Sequence, residues 1–478
     1  MTTPGVTLLT QGAYPHSLGE LALLSDQLVC GMPDIEFRIL SVAADAHEAL
    51  MWELPPNVTR VTVVPTSSAP PARHSPRGRR LSELLSRYED FLLSLLHITP
   101  PEHFAHGLYA LTEYARSGEL SPALRTRSAA RILASAWQRT PMADSFTGSI
   151  LNGARDATEL LERTLRPLAA PAPRDGISHA VGGGPAALPG LAARHFENVP
   201  LLLTEYGGHL GESHLGHRAA RYEWPVKALL LGFRRLLARE AYAKADVITR
   251  GGHYERSPGE HGRTVTGRVR TIYNGIDPAA FPAYVPEPRV PTLVWAGRID
   301  PLRDLDTLIR SFALVRSELP QARLRLFGAV PTGGERYHDQ CRALADGLGL
   351  TDAVTFDGRV ADIRTVYAAG SVVLNSAGEG TPSRLIEAMA YGRPTISTAV
   401  GGVREVLGDA GLVVPPHDPE AMASAALGLL RDPTRRAALG RAARLRVIER
   451  FTLERTVESF RGIYLSLART RQDPEGTA

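Results

Sequence analysis

NSAGEGTPSRLIEAMAYGRPTISTAVGG, residues 375–402, decides the reading of this chain. An apolar run at residues 371–374 predicts a strand that enters a loop of small residues, and the loop enters a helical pattern. Thr381 is a good N-cap and Pro382 a good first helical residue. A helix start of that kind offers free backbone N–H groups and a partial positive charge, which suits a phosphate. Two carboxylates flank it, Glu379 in the loop and Glu387 along the helix, with seven residues between them. Carboxylates accept paired hydrogen bonds well, so the segment suits a ligand with both hydroxyls and phosphates. Glu-x7-Glu by itself also fits two solvated glutamates on an ordinary strand–loop–helix. The sequence around it has to separate the two readings.

Outward from that segment, short apolar runs alternate with helical patterns. Strands are expected at residues 292–296, 323–327, 353–356, 371–374, 394–397 and 412–414, with helices between, for example 305–318 and 337–347. Such alternation implies βαβ units and a parallel, doubly wound sheet. Ligands of these sheets bind beyond the carboxyl ends of the strands. Arg298, the Glu379 loop and Gly401-Gly402 each follow an expected strand and fall on that rim. The N-terminal half starts alike, with strands expected at 6–9, 36–42, 61–64, 177–181, 200–204 and 247–249 around a long helical region. Residues 65–80, rich in Pro, Ser and Arg, read as an exposed loop. The proline-dense stretch at 277–291 reads as a linker between domains. A last helix is expected from 453 to about 470 after the N-cap Thr452, with Val457, Phe460, Tyr464 and Leu467 on one face.

At 478 residues the chain suits two domains, and 44% hydrophobic with 22% charged is an ordinary globular composition. No apolar run has the length of a membrane span, and the first residues carry neither a basic region nor an apolar signal core. Cys30 and Cys341 form neither a disulfide framework nor a metal site, so a reducing cytoplasm is expected. The net charge is +4, and Lys227 and Lys244 are the only lysines among 54 basic residues. Scattered arginines and few aromatics speak against a nucleic-acid partner.

Residues 269–464 resemble the donor-binding domain of family 4 retaining glycosyltransferases. The resemblance is carried by Ile272-Tyr273-Asn274-Gly275-Ile276-Asp277, by Ala296-Gly297-Arg298-Ile299-Asp300-Pro301-Leu302-Arg303-Asp304 and by Leu326-Phe327-Gly328. Val354 to Val360, the Glu-x7-Glu segment and Gly401-Gly402-Val403-Arg404-Glu405-Val406 follow in order. The resemblance implies the α/β GT-B fold: two Rossmann-like doubly wound domains facing a cleft, with a C-terminal helix crossing back to the first. The expected division is residues 1–280 for an acceptor-side domain with a helical insertion, 288–450 for the nucleotide-sugar domain and 451–470 for the crossover helix. In the first half, Leu8 to Pro15, Gly31-Met32-Pro33, Leu203 to Gly207 and Ala241 to Asp246 look like the glycosyltransferase of the bacterial Pel exopolysaccharide system.

The resemblance assigns roles residue by residue. Arg298 and Arg303 would neutralise the departing nucleotide diphosphate, Arg303 standing where relatives usually carry Lys. Glu387 would hold the ribose hydroxyls and Glu379 the donor sugar near the reacting face. The backbone of Gly380, Thr381, Pro382 and Ser383 would approach sugar and phosphates, and Gly358 and Arg359 would lie by the base. Neither metal nor cofactor is implied, because GT-B enzymes commonly use basic side chains and helix ends instead. The Asp-x-Asp of Asp304 and Asp306 reads as charge at a helix start.

The acceptor side is the least legible. Tyr14, Gly19, Tyr206 and His209 are its candidates, with two departures from relatives: Glu20 in place of a second glycine, and Tyr206 in place of a histidine. These departures keep open an alternative class, a catalytically attenuated scaffold or regulatory subunit of a polysaccharide-synthesis complex. The leading expectation is a metal-independent retaining hexosyltransferase that moves sugar from a nucleotide-sugar, UDP-linked, to a glycan or lipid-linked acceptor. A nucleotide-sugar epimerase of similar fold ranks third. Residues 226–239 interleave apolar and basic positions. They read as a core helix with arginines at its rim or, less simply, as a peripheral contact with the inner face of the plasma membrane.

Overall fold

Apolar strand patterns separated by helical ones sort into two sheets in the computed structural model, which describes residues 4–67, 76–97, 100–171, 175–205, 222–252, 267–282, 286–376 and 383–472. The first sheet contains β1 (Val6–Gln11), β2 (Phe37–Ala43), β3 (Val58–Pro65), β4 (Ile177–Val181), β5 (Leu201–Glu205), β6 (Val247–Arg250) and β7 (Val269–Thr271). Their order is β3-β2-β1-β4-β5-β6-β7, and β1 to β6 pair in parallel. The second contains β8 (Thr292–Ala296), β9 (Arg323–Phe327), β10 (Val354–Gly358), β11 (Val372–Asn375), β12 (Thr395–Thr398) and β13 (Leu412–Val414). Its order is β10-β9-β8-β11-β12-β13, parallel throughout. β1, β4 and β8 are buried along nearly their whole length, as strands covered on both faces must be.

Of the described residues, 4–250, 267–270 and 459–472 form one compact unit, and 251–252 with 271–458 form a second. The division therefore falls before the proline-dense stretch that reads as a linker. Arginines hold that stretch to the second unit. Arg393 Nη2 donates to the carbonyl of Pro286 (3.0 Å), Arg436 pairs with Glu287 (2.6 Å), and Arg444 donates to the carbonyls of Pro278 and Phe281 (3.2 and 3.1 Å).

In the first unit the long middle region is helical. Helices Gly78–Leu96, Pro101–Arg116, Arg127–Gln138 and Ile150–Leu165 pack with Trp224–Lys244 around Phe91, Phe104 and Phe233, whose ring centroids lie 5.6–6.2 Å apart. Arg166 and Glu162 form a buried ion pair at 2.8 Å. The arginine also donates to the carbonyls of Pro65 and Thr66 at the end of β3, so its buried donors are met and the helices are tied to the sheet. Helix Trp224–Lys244 turns Val226, Leu229, Leu230, Phe233 and Leu237 into this core. The apolar face that a membrane contact needs is thus used for packing. Among the described residues no helix is long and apolar enough to cross a membrane.

The last helix, Leu453–Gln472, begins where Thr452 Oγ1 accepts from the backbone N–H of Arg455 (3.4 Å). From residue 459 it belongs to the first unit, where Phe460, Tyr464 and Leu467 are buried as the helical pattern requires. Tyr464 Oη lies 2.7 Å from His179 Nδ1 in β4. His179 Nε2 lies 2.7 Å from Thr204 Oγ1, which in turn lies 2.6 Å from Thr249 Oγ1. Burial lowers the His179 pKa from 6.5 to about 3.

That shift has a sign that stability measurements read. The unfolded chain binds a proton at this residue near pH 6.5 and the folded chain does not until about pH 3, so stability falls as pH drops through that window. The slope from one such group is about 1.4 kcal/mol per pH unit once fully developed. We expect His179→Gln to flatten the pH dependence of the urea midpoint between pH 7.5 and 4.5. An unchanged slope in the variant would show that His179 does not stay neutral when folded.

Candidate active site

In the second sheet the chain runs from β8 outward to β9 and β10, then returns to the other side of β8 as β11. Ligands of doubly wound sheets bind at such a reversal, beyond the strand ends. The loop leaving β8 is held there by a continued backbone ladder. Gly297 N–H donates to the carbonyl of Phe327 (3.0 Å), Ile299 N–H to Ala329 (3.0 Å) and Gly328 N–H to Gly358 (2.8 Å). The approach is so close that a Cβ on Gly328 would lie 1.7 Å from the carbonyl oxygen of Gly297. Asp300 then accepts from the N–H of Leu302 (3.1 Å), closing the 3-10 turn Pro301–Arg303. Asp304, at φ +47°, caps helix Leu305–Glu318 through the N–H of Thr307 (3.4 Å), and its other oxygen lies 2.9 Å from His417 Nδ1. The Asp-x-Asp here is helix-start chemistry, as its position in the sequence implies.

Arg298 extends from this loop with more than half of its side chain exposed, and its Nε lies 3.3 Å from Asp300 Oδ2. Arg303 is half-buried, and its carbonyl accepts from Ser376 Oγ at 2.7 Å. Ser376 is the residue after β11, so this bond joins the loops on either side of the reversal. Glu379, Gly380, Thr381 and Pro382 lie outside the described residues. The helix that follows is Ser383–Ala390, with Ser383 half-buried at its start.

Glu387 is not an ordinary solvated carboxylate. Its side chain is 17% exposed, and Arg384 Nη1 lies 3.1 and 2.8 Å from its two oxygens. Tyr367 Oη, from helix Ile363–Ala369, lies 3.0 Å from Oε2. Burial, and then the charge of Glu387, raise the Tyr367 pKa well above its usual value, so the phenol stays protonated and donates. Gly358 ends β10 at φ +72°, and Arg359 beside it is exposed.

The first sheet has its own reversal, between β1 and β4. Tyr14, expected on the acceptor side, has a fully buried ring, and its carbonyl accepts from Thr10 Oγ1 (2.6 Å). Its side chain is therefore part of the packing. Gly19 is exposed and precedes helix Glu20–Gly31, and Glu20 is an exposed first-turn acid, favourable at a helix start. Tyr206 and His209 lie outside the described residues.

Sequence reasoning passed over the polar set that does stand at this rim. After β4 come Gly182, Gly183 and Gly184, the first and last at φ +87° and +85°. A Cβ on Gly183 would lie 3.6 Å from Glu205 Oε1, and one on Gly184 would lie 3.5 Å from Gln11 Oε1. Tyr242 Oη donates to Glu205 Oε2, and Arg250, aligned with Glu205 across β5 and β6, holds its guanidinium 5.6 Å above the Tyr242 ring. The Gly-Gly-Gly between a strand and a helical pattern was the available signal. A cavity of about 790 Å³ in the first unit lies elsewhere, between helices Pro101–Arg116, Leu188–Glu197 and Trp224–Lys244. Its Lys244 falls in a last helical turn, where a cation complements the helix dipole.

The profile of the family described as "Domain of unknown function (DUF3492)" matches residues 4–262, and that described as "Glycosyl transferases group 1" matches residues 290–432. The D-inositol 3-phosphate glycosyltransferase of Salinispora tropica is 30% identical over 303 residues, which is 58% of this chain and 61% of that protein. The exopolysaccharide phosphotransferase of Streptomyces coelicolor is 31% identical over 212 residues, 42% of this chain and 22% of that protein. The chain thus spans less than two thirds of either relative. The Anabaena protein HepE, solved in complex with UDP, matches 97% of this chain with all of its own, at 15% identity and a TM-score of 0.60. That likeness is one of fold, the two-domain α/β arrangement expected of GT-B.

Two glycines of the rim separate steric from conformational demands. Gly328→Ala puts a methyl group into the Gly297 carbonyl and forces the loop apart, so we expect a loss of about 3 kcal/mol or more. Gly358→Ala meets nothing within 4 Å and carries only the penalty of a left-handed backbone, about 1–2 kcal/mol. Chemical denaturation of both variants checks the order. A Gly328→Ala protein as stable as Gly358→Ala would contradict the backbone crossing.

Proposed function

We propose, from a chain that belongs to the DUF3492 family and whose residues 290–432 form a group 1 glycosyl transferase domain, that it is a retaining, metal-independent hexosyltransferase. It moves sugar from a nucleotide-sugar, UDP-linked, to a glycan or lipid-linked acceptor in polysaccharide or glycoconjugate synthesis. The observation that carries this is the Ser376–Arg303 bond across the reversal of the second sheet. It holds the arginine-bearing loop after β8 against the loop that leads to Glu379 and Glu387. Arg298, Arg303 and Glu387 near that reversal, with Glu379 assigned beside them by the proposal, fit a ligand that has both a diphosphate and sugar hydroxyls.

In this reading Arg298 and Arg303 act on the leaving nucleotide diphosphate. Fixed positive groups placed where negative charge develops supply several kcal/mol to such a step. Glu387 accepts from the ribose hydroxyls, and Glu379 from hydroxyls of the transferred sugar. The backbone of Gly380 to Ser383 approaches sugar and phosphates, and Gly358 and Arg359 border the base. The second unit is the donor side. The first unit takes the acceptor, and its triglycine rim with Gln11 and Glu205 is suited to sugar hydroxyls. The Anabaena neighbour, solved with UDP, supports the uridine choice, and the Streptomyces relative supports a setting in exopolysaccharide synthesis. The phosphotransfer in that relative's name does not fit a chain whose residues 290–432 match the glycosyl transferases group 1 profile.

Titration calorimetry with UDP, GDP and ADP in EDTA tests the reading, and we expect UDP to bind. Glu387→Ala should weaken UDP about ten- to a hundredfold, the loss of a hydrogen bond to a charged group. Glu379→Ala should leave UDP affinity nearly unchanged and abolish transfer, because UDP lacks the sugar that Glu379 holds. Failure of all three nucleotides to bind would sink the proposal. Equal weakening by both variants would overturn the division of roles between the two carboxylates.

A further inference from the structure

The cavity of about 790 Å³ in the first unit has the size of a ligand site, for which about 300–1,000 Å³ is usual. Helices Leu188–Glu197 and Trp224–Lys244 end just before β5 and β6 begin, so the cavity lies at the amino-end edge of the first sheet. The triglycine rim lies at the carboxyl-end edge. β5 alone spans five residues, about 16 Å, so one sugar unit does not serve both places.

Its wall carries a carboxylate that the fold uses only by half. Glu240 is 6% exposed, and Tyr109 Oη donates to its Oε1 at 2.8 Å. Burial, and then the charge of Glu240, raise the Tyr109 pKa, so the phenol stays a donor. Oε2 has no hydrogen-bond or ion-pair partner among the described residues, although Lys244 stands four residues on along the same helix. A carboxylate so enclosed is costly unless its lone pairs are met. Donors from a ligand in the cavity would meet them.

A flat ring stands beside it. His195 stacks on Tyr109 with centroids 3.8 Å apart and planes within 3°, and Phe196 meets it edge-on at 4.7 Å. His195 itself is exposed, and burial and then the charge of Lys244 lower its pKa, which favours the neutral ring. Such a ring, held from one side, is a platform for the C–H face of a sugar. Charges of both signs line the cavity, with exposed Arg87, Arg239 and Lys244 facing the same space as exposed Glu102 and Glu113. A strong anion or cation would be repelled by one set. A neutral polyol uses both, because each hydroxyl donates and accepts. A second hollow of about 330 Å³ shares His195, Ala243 and Lys244 with the first and continues it, which suits a chain better than a single unit.

We propose that this groove binds a neutral oligosaccharide segment away from the site of transfer, with Glu240 accepting from its hydroxyls and His195 stacking on a pyranose face. Tyr109 is a positioning residue that fixes the Glu240 carboxylate and supports the His195 ring. The groove needs no nucleotide, so the inference stands independently of the donor-site reading.

The experiment is titration calorimetry of the full chain with maltopentaose, cellopentaose, mannopentaose and chitopentaose, and with pyrophosphate and UDP for comparison. We expect at least one pentasaccharide to bind. Glu240→Gln keeps the size of the side chain and an acceptor for Tyr109, and should weaken that saccharide about ten- to a hundredfold, the loss of a hydrogen bond to a charged group. His195→Ala, an exposed change, should weaken it about two- to tenfold and leave the urea midpoint close to that of the wild type. Weakening by both variants supports the proposal. A saccharide insensitive to either variant is bound elsewhere and overturns it. Failure of all four saccharides overturns it too, as does a groove that takes pyrophosphate or UDP instead, seen as binding that His195→Ala weakens. If UDP does not bind while a saccharide does, and both variants weaken it, the donor-site reading falls and this inference stands.

Discussion

The bond from Ser376 Oγ to the carbonyl of Arg303 is short, part-buried and local to neither loop it joins. It spans the point where the second sheet reverses, and it is made to backbone, so it does not depend on which side chain stands at position 303. On one side, the loop after β8 is already pinned by the ladder through Gly297 and Ile299 and by the caps at Asp300 and Asp304. On the other side, β11 sits between β8 and β12 and carries Ser376 at its end. The bond fixes Ser376, the residue after β11, against the carbonyl of Arg303. Arg298 and Glu387 come to this rim from separate elements.

Arginine does two jobs in this chain, and burial separates them. Arg393 and Arg436 are buried, and their donors are spent on carbonyls and on Glu287. They staple residues 278–282 and 286–291 to the second unit together with Arg444, whose donors meet the carbonyls of Pro278 and Phe281. A planar fork that stays charged suits this use better than an ammonium group, because several carbonyls can share it. Arg298 and Arg359 are exposed at strand ends and do no such stapling. A net charge of +4 hides this division.

Strands were the most legible part of the sequence, because buried parallel strands are short apolar runs and little else in the chain looks like them. β8, β9, β4 and β13 fall on the residues expected for them, and helix Leu305–Glu318 does so to the residue. β7 was missed, since Val269-Arg270-Thr271 is short, only partly buried and adds one edge. That the proline-dense stretch belongs with the second unit was not legible, for a different reason. Proline density marks irregular backbone, but only tertiary contacts from Arg393, Arg436 and Arg444 decide that irregular backbone is bound to one unit. The burial of Tyr14 was not legible, because a motif gives proximity to a loop and not the direction of a ring. The partners of Glu387 were legible only in half: Arg384 is three residues away on the same helix, whereas Tyr367 comes from another element.

The two rims differ in chemistry as well as in sequence. At the second sheet, Arg298 is exposed beside Asp300, a helix starts at Leu305, and the carboxylate of Glu387 is held under a counter-ion. At the first, the strand ends carry Gln11, Glu205 and Arg250 around glycines that present bare backbone. An anionic leaving group gains from the first kind of rim and would be opposed by Glu205 at the second kind. A polyhydroxyl ligand gains from carboxylate, amide and open backbone together, since each hydroxyl both donates and accepts. The asymmetry thus follows from side chains that sequence motifs locate only in part. It gives a physical reason, independent of resemblance, for reading the C-terminal sheet as the donor side and the N-terminal sheet as the acceptor side.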